Sequence, residues 1–71
     1  MTFSLLDVVA LIHASPEHQL PAGAEGTVVE VFTPDAYMVE FVDADGRTLA
    51  LPTLASSSLQ LVSRSHELAA E

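Results

Sequence analysis

Two short runs on either side of Thr33-Pro34-Asp35-Ala36 constrain this chain more than any other feature. Thr27 to Phe32 reads Thr-Val-Val-Glu-Val-Phe and Tyr37 to Val42 reads Tyr-Met-Val-Glu-Phe-Val, both rich in the β-branched and aromatic residues that suit a pleated surface. Pro34 occupies the second turn position, where its fixed φ fits a type I turn, so the two runs close as a β-hairpin. Strand side chains alternate between faces. If Glu30 and Glu40 point to water, Val29, Val31, Tyr37, Val39 and Phe41 point inward, and Val28, Phe32, Met38 and Val42 share the outer face with the two glutamates.

The rest of the chain supplies partners for this hairpin. Asp7 to Ile12 is a short apolar run, too short for a stable helix, and reads as a buried strand. His13 to Gly26 holds Pro16, Pro21, Gly23 and Gly26 among polar residues and follows neither the strand nor the helix period. It is a long loop, with Leu20 as its anchor to the core. Asp43-Ala44-Asp45-Gly46 ends in the Asp-Gly pair that readily supplies positive φ, so a second tight hairpin leads into a strand over Arg47 to Leu51. Pro52 lacks a backbone donor and is expected to stop the ladder. Ser56-Ser57-Ser58 reads as a turn or a single 3₁₀ turn, and Leu59 to Val62 as a last strand.

The expected fold is therefore all-β: a five-stranded SH3-like barrel over residues 1–62, followed by a flexible or short helical tail over 63–71, the helix placed at Ser65 to Ala70. Strand spacing alone also permits an OB-like or open meander arrangement. At 71 residues one domain is expected, with a thin core, and without cysteine neither disulfides nor a thiolate zinc cage can brace it. The start of the chain lacks the charges and long apolar stretch of a signal peptide, and no run approaches the ~20 apolar residues that span a bilayer. A soluble, cytoplasmic protein is the expectation.

Ten carboxylates face only Arg47 and Arg64, for a formal charge of −8. Such a chain repels phosphate backbones and anionic lipid headgroups, so neither nucleic acid nor membrane is an expected partner. The same field steers the chain toward basic protein surfaces, although net acidity also serves solubility.

The residues carry little that matches catalytic or metal-binding chemistry. His13, Glu17 and His18 share a loop and are of metal-ligating type, but a structural zinc site needs four fixed ligands, and a solvated loop accounts for them. Asp43 and Asp45 begin like a calcium loop, yet the glycine comes at the fourth position instead of the sixth, and Leu54 stands where a bidentate glutamate is required. Ser56, Ser57 and Ser58 have no nucleophile-elbow surroundings. No catalytic residue, metal or cofactor is expected, and the protein is read as a non-enzyme.

The apolar outer set is the candidate functional feature. Soluble monomers seldom expose large contiguous apolar patches, and acidic groups beside an apolar centre match a partner with Arg or Lys at its rim. The candidate partner-binding residues are Val28, Glu30, Phe32, Met38, Glu40 and Val42, unless the loop, the tail or Phe3 folds over them.

Several segments together form a recognisable pattern: Leu5-Leu6-Asp7-Val8-Val9-Ala10-Leu11, the loop Pro16-Glu17-His18-Gln19-Leu20-Pro21-Ala22-Gly23, Gly26-Thr27-Val28-Val29-Glu30-Val31, Tyr37-Met38-Val39-Glu40-Phe41-Val42-Asp43, and Gly46-Arg47-Thr48-Leu49-Ala50-Leu51. The chain resembles the short bacterial proteins of domain-of-unknown-function family 4926 over about residues 4 to 62. The resemblance supports the fold, brings no reaction or cofactor, and implies an antitoxin-like or regulatory partner of a more basic protein. Gly23-x-x-Gly26-x-Val28 also resembles the glycine-turn-strand of other SH3-like barrels, including a photosystem I accessory subunit and the nitrile hydratase β-subunit. That analogy implies the alternative, a structural accessory subunit of an enzyme or photosynthetic complex; a self-associating homo-oligomer is a third possibility.

Overall fold

The computed structural model describes residues 2–65. Its strands are β1 (Val8–Leu11), β2 (Glu25–Thr33), β3 (Ala36–Val42), β4 (Thr48–Ala50), β5 (Thr53–Ala55) and β6 (Leu59–Ser63), with 3₁₀ turns at Pro16–His18 and Ser56–Ser58. All pairings are antiparallel, in the order β4-β3-β2-β1-β6, with β5 also on β3. Among the described residues no pairing joins β6 to β4 or β5, so this is a six-stranded sheet not closed into a barrel.

The sixth strand arises at Pro52. Its missing N–H interrupts the ladder after β4 as expected, but its carbonyl accepts the Val39 N–H at 3.0 Å, and the chain resumes pairing on the same edge of β3. β4 lies along Phe41 and Val42, and β5 along Ala36 to Met38.

The main hairpin turns at Pro34 and Asp35 as the sequence indicates. In the second hairpin the Asp43 carboxylate accepts the N–H groups of Asp45 (2.8 Å) and Arg47 (3.0 Å), and Gly46 takes φ +83°. Asp43 and Asp45 thus build a turn.

Phe3, Val9, Leu11, Leu20, Val28, Tyr37, Val39, Phe41 and Leu59 form the core. Leu20 anchors the long loop, whose turn is closed by backbone bonds between Ser15 and Leu20. Tyr37 is the polar exception among these residues. Its hydroxyl accepts the Phe3 N–H at 3.0 Å and donates to the Pro34 carbonyl, while the two rings meet edge to face at 5.3 Å. Phe3 therefore packs on the inner side of the hairpin.

The folded unit also runs past the boundary expected at residue 62. Ser63 belongs to β6, and the Ser65 N–H donates to the Asp7 carboxylate at 2.9 Å. The remainder of the expected helix, residues 66–70, lies outside the described residues.

Gly26 sits inside β2, opposite Val9. A Cβ there would come within 2.7 Å of Val39 Cγ1, 2.9 Å of the Glu40 carbonyl and 3.0 Å of Phe41 Cδ1. The strands are close enough only because this side chain is absent. Gly26→Ala is expected to lower stability by about 1–3 kcal/mol despite alanine's lower chain entropy. Urea denaturation checks this, and an unchanged midpoint would refute the close approach.

Candidate protein-binding surface

The outer face of the β2–β3 hairpin differs from its sequence reading at one residue in particular. Val28 is 0% exposed and belongs to the core. The cause is a register shift: Val28 opposes Val39, the next pair is Glu30 with Met38, and Val29 is the extra residue between them. A bulge of this kind breaks the two-residue alternation, so Val28 and Glu30 fall on opposite faces. Val28 is removed from the candidate surface.

The remaining candidates lie where solvent reaches them. Glu30 is exposed and directly opposes the half-buried Met38, and Phe32, two positions further along β2, is 50% exposed. Glu40 accepts the Thr48 hydroxyl, which orients it along β4. Val42 is 48% exposed but sits at the far end of β3, opposite Thr48. At about 3.3 Å per residue, roughly 15–20 Å of hairpin separates it from Phe32. The expected single patch is therefore two, with Phe32 and Met38 beside Glu30 at the tip, and Val42 beside β4.

Further exposed residues extend both patches, among them Val31, which strand alternation places inward but which is 38% exposed. Val31 adjoins Phe32, and Leu49 and Leu51 follow the β4 chain, where another irregularity between Phe41 and Val42 leaves Leu49 outside the ladder. The alternation of Leu49, Ala50 and Leu51 signals their outward direction, since Ala50 is the residue packed against the core. Val31 carries no such signal, because Tyr37 across from it is wholly buried while Val31 lies beyond the end of the core.

The charge on this surface has one sign. Glu25, Glu30, Asp35 and Glu40 all lie on the hairpin, and no lysine or arginine precedes Arg47 in the chain. Arg64 lies 3.6 Å from the Asp7 carboxylate, away from the hairpin tip in sequence and pairing.

The loop residues assemble no ligand set. Among the described residues no three metal-ligating side chains cluster, and His13 and Glu17 are exposed. His18 Nδ1 lies 2.8 Å from Ser15 Oγ, a serine–histidine contact spanning three residues. No carboxylate among the described residues hydrogen-bonds to either, and the contact accompanies the backbone bond from the His18 N–H to the Ser15 carbonyl (3.0 Å) that closes the 3₁₀ turn.

These features define a small antiparallel β-domain with an acidic hairpin bearing exposed apolar side chains. A family model described as "Domain of unknown function (DUF4926)" matches residues 5–61, and the chain belongs to that family. No curated protein and no solved structure matches it. No helix among the described residues is long and apolar enough to cross a membrane.

The corrected faces make a direct prediction. Val28→Glu places an unpaired charge in the core and is expected to cost at least about 3 kcal/mol, whereas Phe32→Glu should stay within about 1 kcal/mol of wild type. Chemical denaturation of the two variants checks this, and equal tolerance at both positions would contradict the bulge.

Proposed function

We propose that this protein is a non-enzymatic binding module, an antitoxin-like or regulatory partner of a more basic protein, acting in the cytoplasm on an SH3-like scaffold. The observation that carries the reading is the exposed Phe32 beside Met38 and Glu30, on a hairpin with four carboxylates and no basic residue. An apolar centre flanked by acids suits a partner that buries an apolar side chain and sets Arg or Lys around it. The long first loop and the 3₁₀ turn before the last strand support the SH3-like assignment, with the sheet left open.

A second reading, a structural accessory subunit of a larger enzyme or photosynthetic complex, is favoured by the separate patch of Val42, Leu49 and Leu51. A subunit wedged into an assembly uses more than one face. Self-association is less favoured, because two chains of −8 repel one another.

The test is a tagged pull-down from the native cell type, comparing wild type with the double variant Phe32→Glu, Met38→Glu after circular dichroism establishes that the variant folds. One basic protein is expected on the wild type, weakened by salt and lost from the variant. Equal retention by both forms would rule out this face, and a variant defective only when Leu49→Glu is added would favour the accessory-subunit reading.

A further inference from the structure

The hairpin surface has an edge as well as a face. Val28 donates its N–H to the Asp7 carbonyl at 2.9 Å, and its own carbonyl accepts the Leu6 N–H at 2.7 Å, so its polar groups point away from β3. Its partner Val39 likewise turns its N–H outward, to Pro52. In an antiparallel ladder such outward-turned pairs alternate with pairs bonded to each other. After the bulge the pairs are Glu30 with Met38 and then Val31 with Tyr37, so the alternation turns the Val31 N–H and C=O outward again; a second shift follows at once, with Phe32 the extra residue before the Thr33–Ala36 pair. On the Tyr37 side that outward edge is filled by Leu54 of β5. On the Val31 side no backbone group among the described residues fills it.

The neighbouring chain leaves at this point because it turns. Ser4 to Asp7 form a tight turn, with the Asp7 N–H bonded to the Ser4 carbonyl at 3.1 Å and Leu6 held at φ +70°. The turn sends Phe3 to Tyr37 on the inner side of the hairpin and not alongside β2. The distal half of β2, Val-Glu-Val-Phe-Thr over residues 29–33, is thus an edge strand of high β propensity, 38% exposed at Val31 and 50% at Phe32. Natural edges of this kind are commonly guarded by lysine, proline or a covering segment. Here the guard is Glu30 alone, with Pro34 just beyond the strand end.

We propose that this edge is a strand-addition site: an extended, basic segment of a partner protein pairs with residues 29–33 and continues the sheet. The proposal rests on the partner-binding reading above and gives its mode of contact. Main-chain bonds to Val31 supply registry and alternate side chains supply selectivity, as in other strand-addition complexes. The occupant carries Lys or Arg where it passes Glu30 and an apolar residue where it reaches the exposed Phe32. The basic character follows from the charge, since Glu30 lies within the edge and Asp35 just beyond it, Glu25 and Glu40 stand further along the same hairpin, and the hairpin carries no cation. A second copy of the chain would bring −8 against −8.

The full-length protein, isotopically labelled, can be titrated with a capped peptide of about eight residues alternating lysine and valine, and with two versions N-methylated at alternate amides, one for each edge. The expected result is a Val31 amide that exchanges rapidly in the free protein, slows at least about tenfold with the unmodified peptide, and does not slow with the version methylated on the pairing edge. Shift changes should centre on residues 29–33. Equal binding by all three peptides, with changes centred on Met38 and Glu40, would overturn strand addition while leaving the binding-module reading intact. Absence of any response at millimolar peptide would also overturn it, leaving the pull-down to decide the wider reading. A sedimenting dimer whose Val31 amide is already slow would place a second copy on the edge and refute the basic occupant.

Discussion

Asp7 is fully buried, and both of its carboxylate oxygens are used. One accepts the Ser4 N–H at 2.8 Å and lies 3.6 Å from the Arg64 guanidinium; the other accepts the Ser65 N–H at 2.9 Å. Its backbone bonds to Ser4 on one side and Val28 on the other. Removing a carboxylate from water costs several kcal/mol unless such donors replace the solvent, so the fold around Asp7 must keep all of them in place. One residue, through its carboxylate and its backbone, thereby joins the N-terminal turn, the start of β1, the middle of β2 and the exit of β6. For a domain of this size, with a small core and no disulfide, that junction binds both ends of the described chain to the centre of the sheet.

The surface proposed for binding follows from the same junction. The turn that satisfies Asp7 holds Leu6 in the left-handed region, at a cost of about 1–2 kcal/mol for a non-glycine residue, and directs the chain beneath Tyr37. Because the chain departs there, β2 loses its neighbour after Val28 and its distal half stands unpaired. The bulge at Val29 then returns Val31 to the outward hydrogen-bonding position and moves Glu30 to the outer face. Strain in the turn, the end of the β1-side ladder and the exposed Val31 and Phe32 are successive consequences of one local geometry. The hairpin's four carboxylates, with no cation before Arg47, set the sign of what such an edge would attract.

Much of this architecture is legible in the residues. The hairpin at Pro34, the Asp45-Gly46 turn, the 3₁₀ turn at the serine run, the inward Tyr37, Val39 and Phe41, and the anchoring Leu20 all follow from alternation and turn chemistry acting locally. Val28 escapes the reading because a one-residue bulge leaves no mark in composition while inverting the face of every residue before it. β5 escapes because Pro52 signals the end of a ladder, and whether the chain then rejoins β3 depends on a carbonyl that meets Val39 only in three dimensions. Asp7 escapes for a different reason. An aspartate at a strand start reads as solvent-facing, and its donors come from Ser4, Arg64 and Ser65, the last two at the opposite end of the sequence. The free edge at Val31 is hidden by the combination, since it needs both the bulge and the turn.

The most direct measurement on the Asp7 junction is residue-resolved amide exchange in wild type and in Asp7→Asn. The bonded N–H groups of Ser4, Ser65 and Val28 should be protected together in the wild type. In the variant Ser4 and Ser65 should exchange at least about tenfold faster, while Tyr37 and Val39 in the centre of the hairpin change less. Wild-type Ser4 and Ser65 amides exchanging at the rate of an unfolded chain, or a variant that leaves their protection unchanged, would show that the sheet does not depend on this carboxylate.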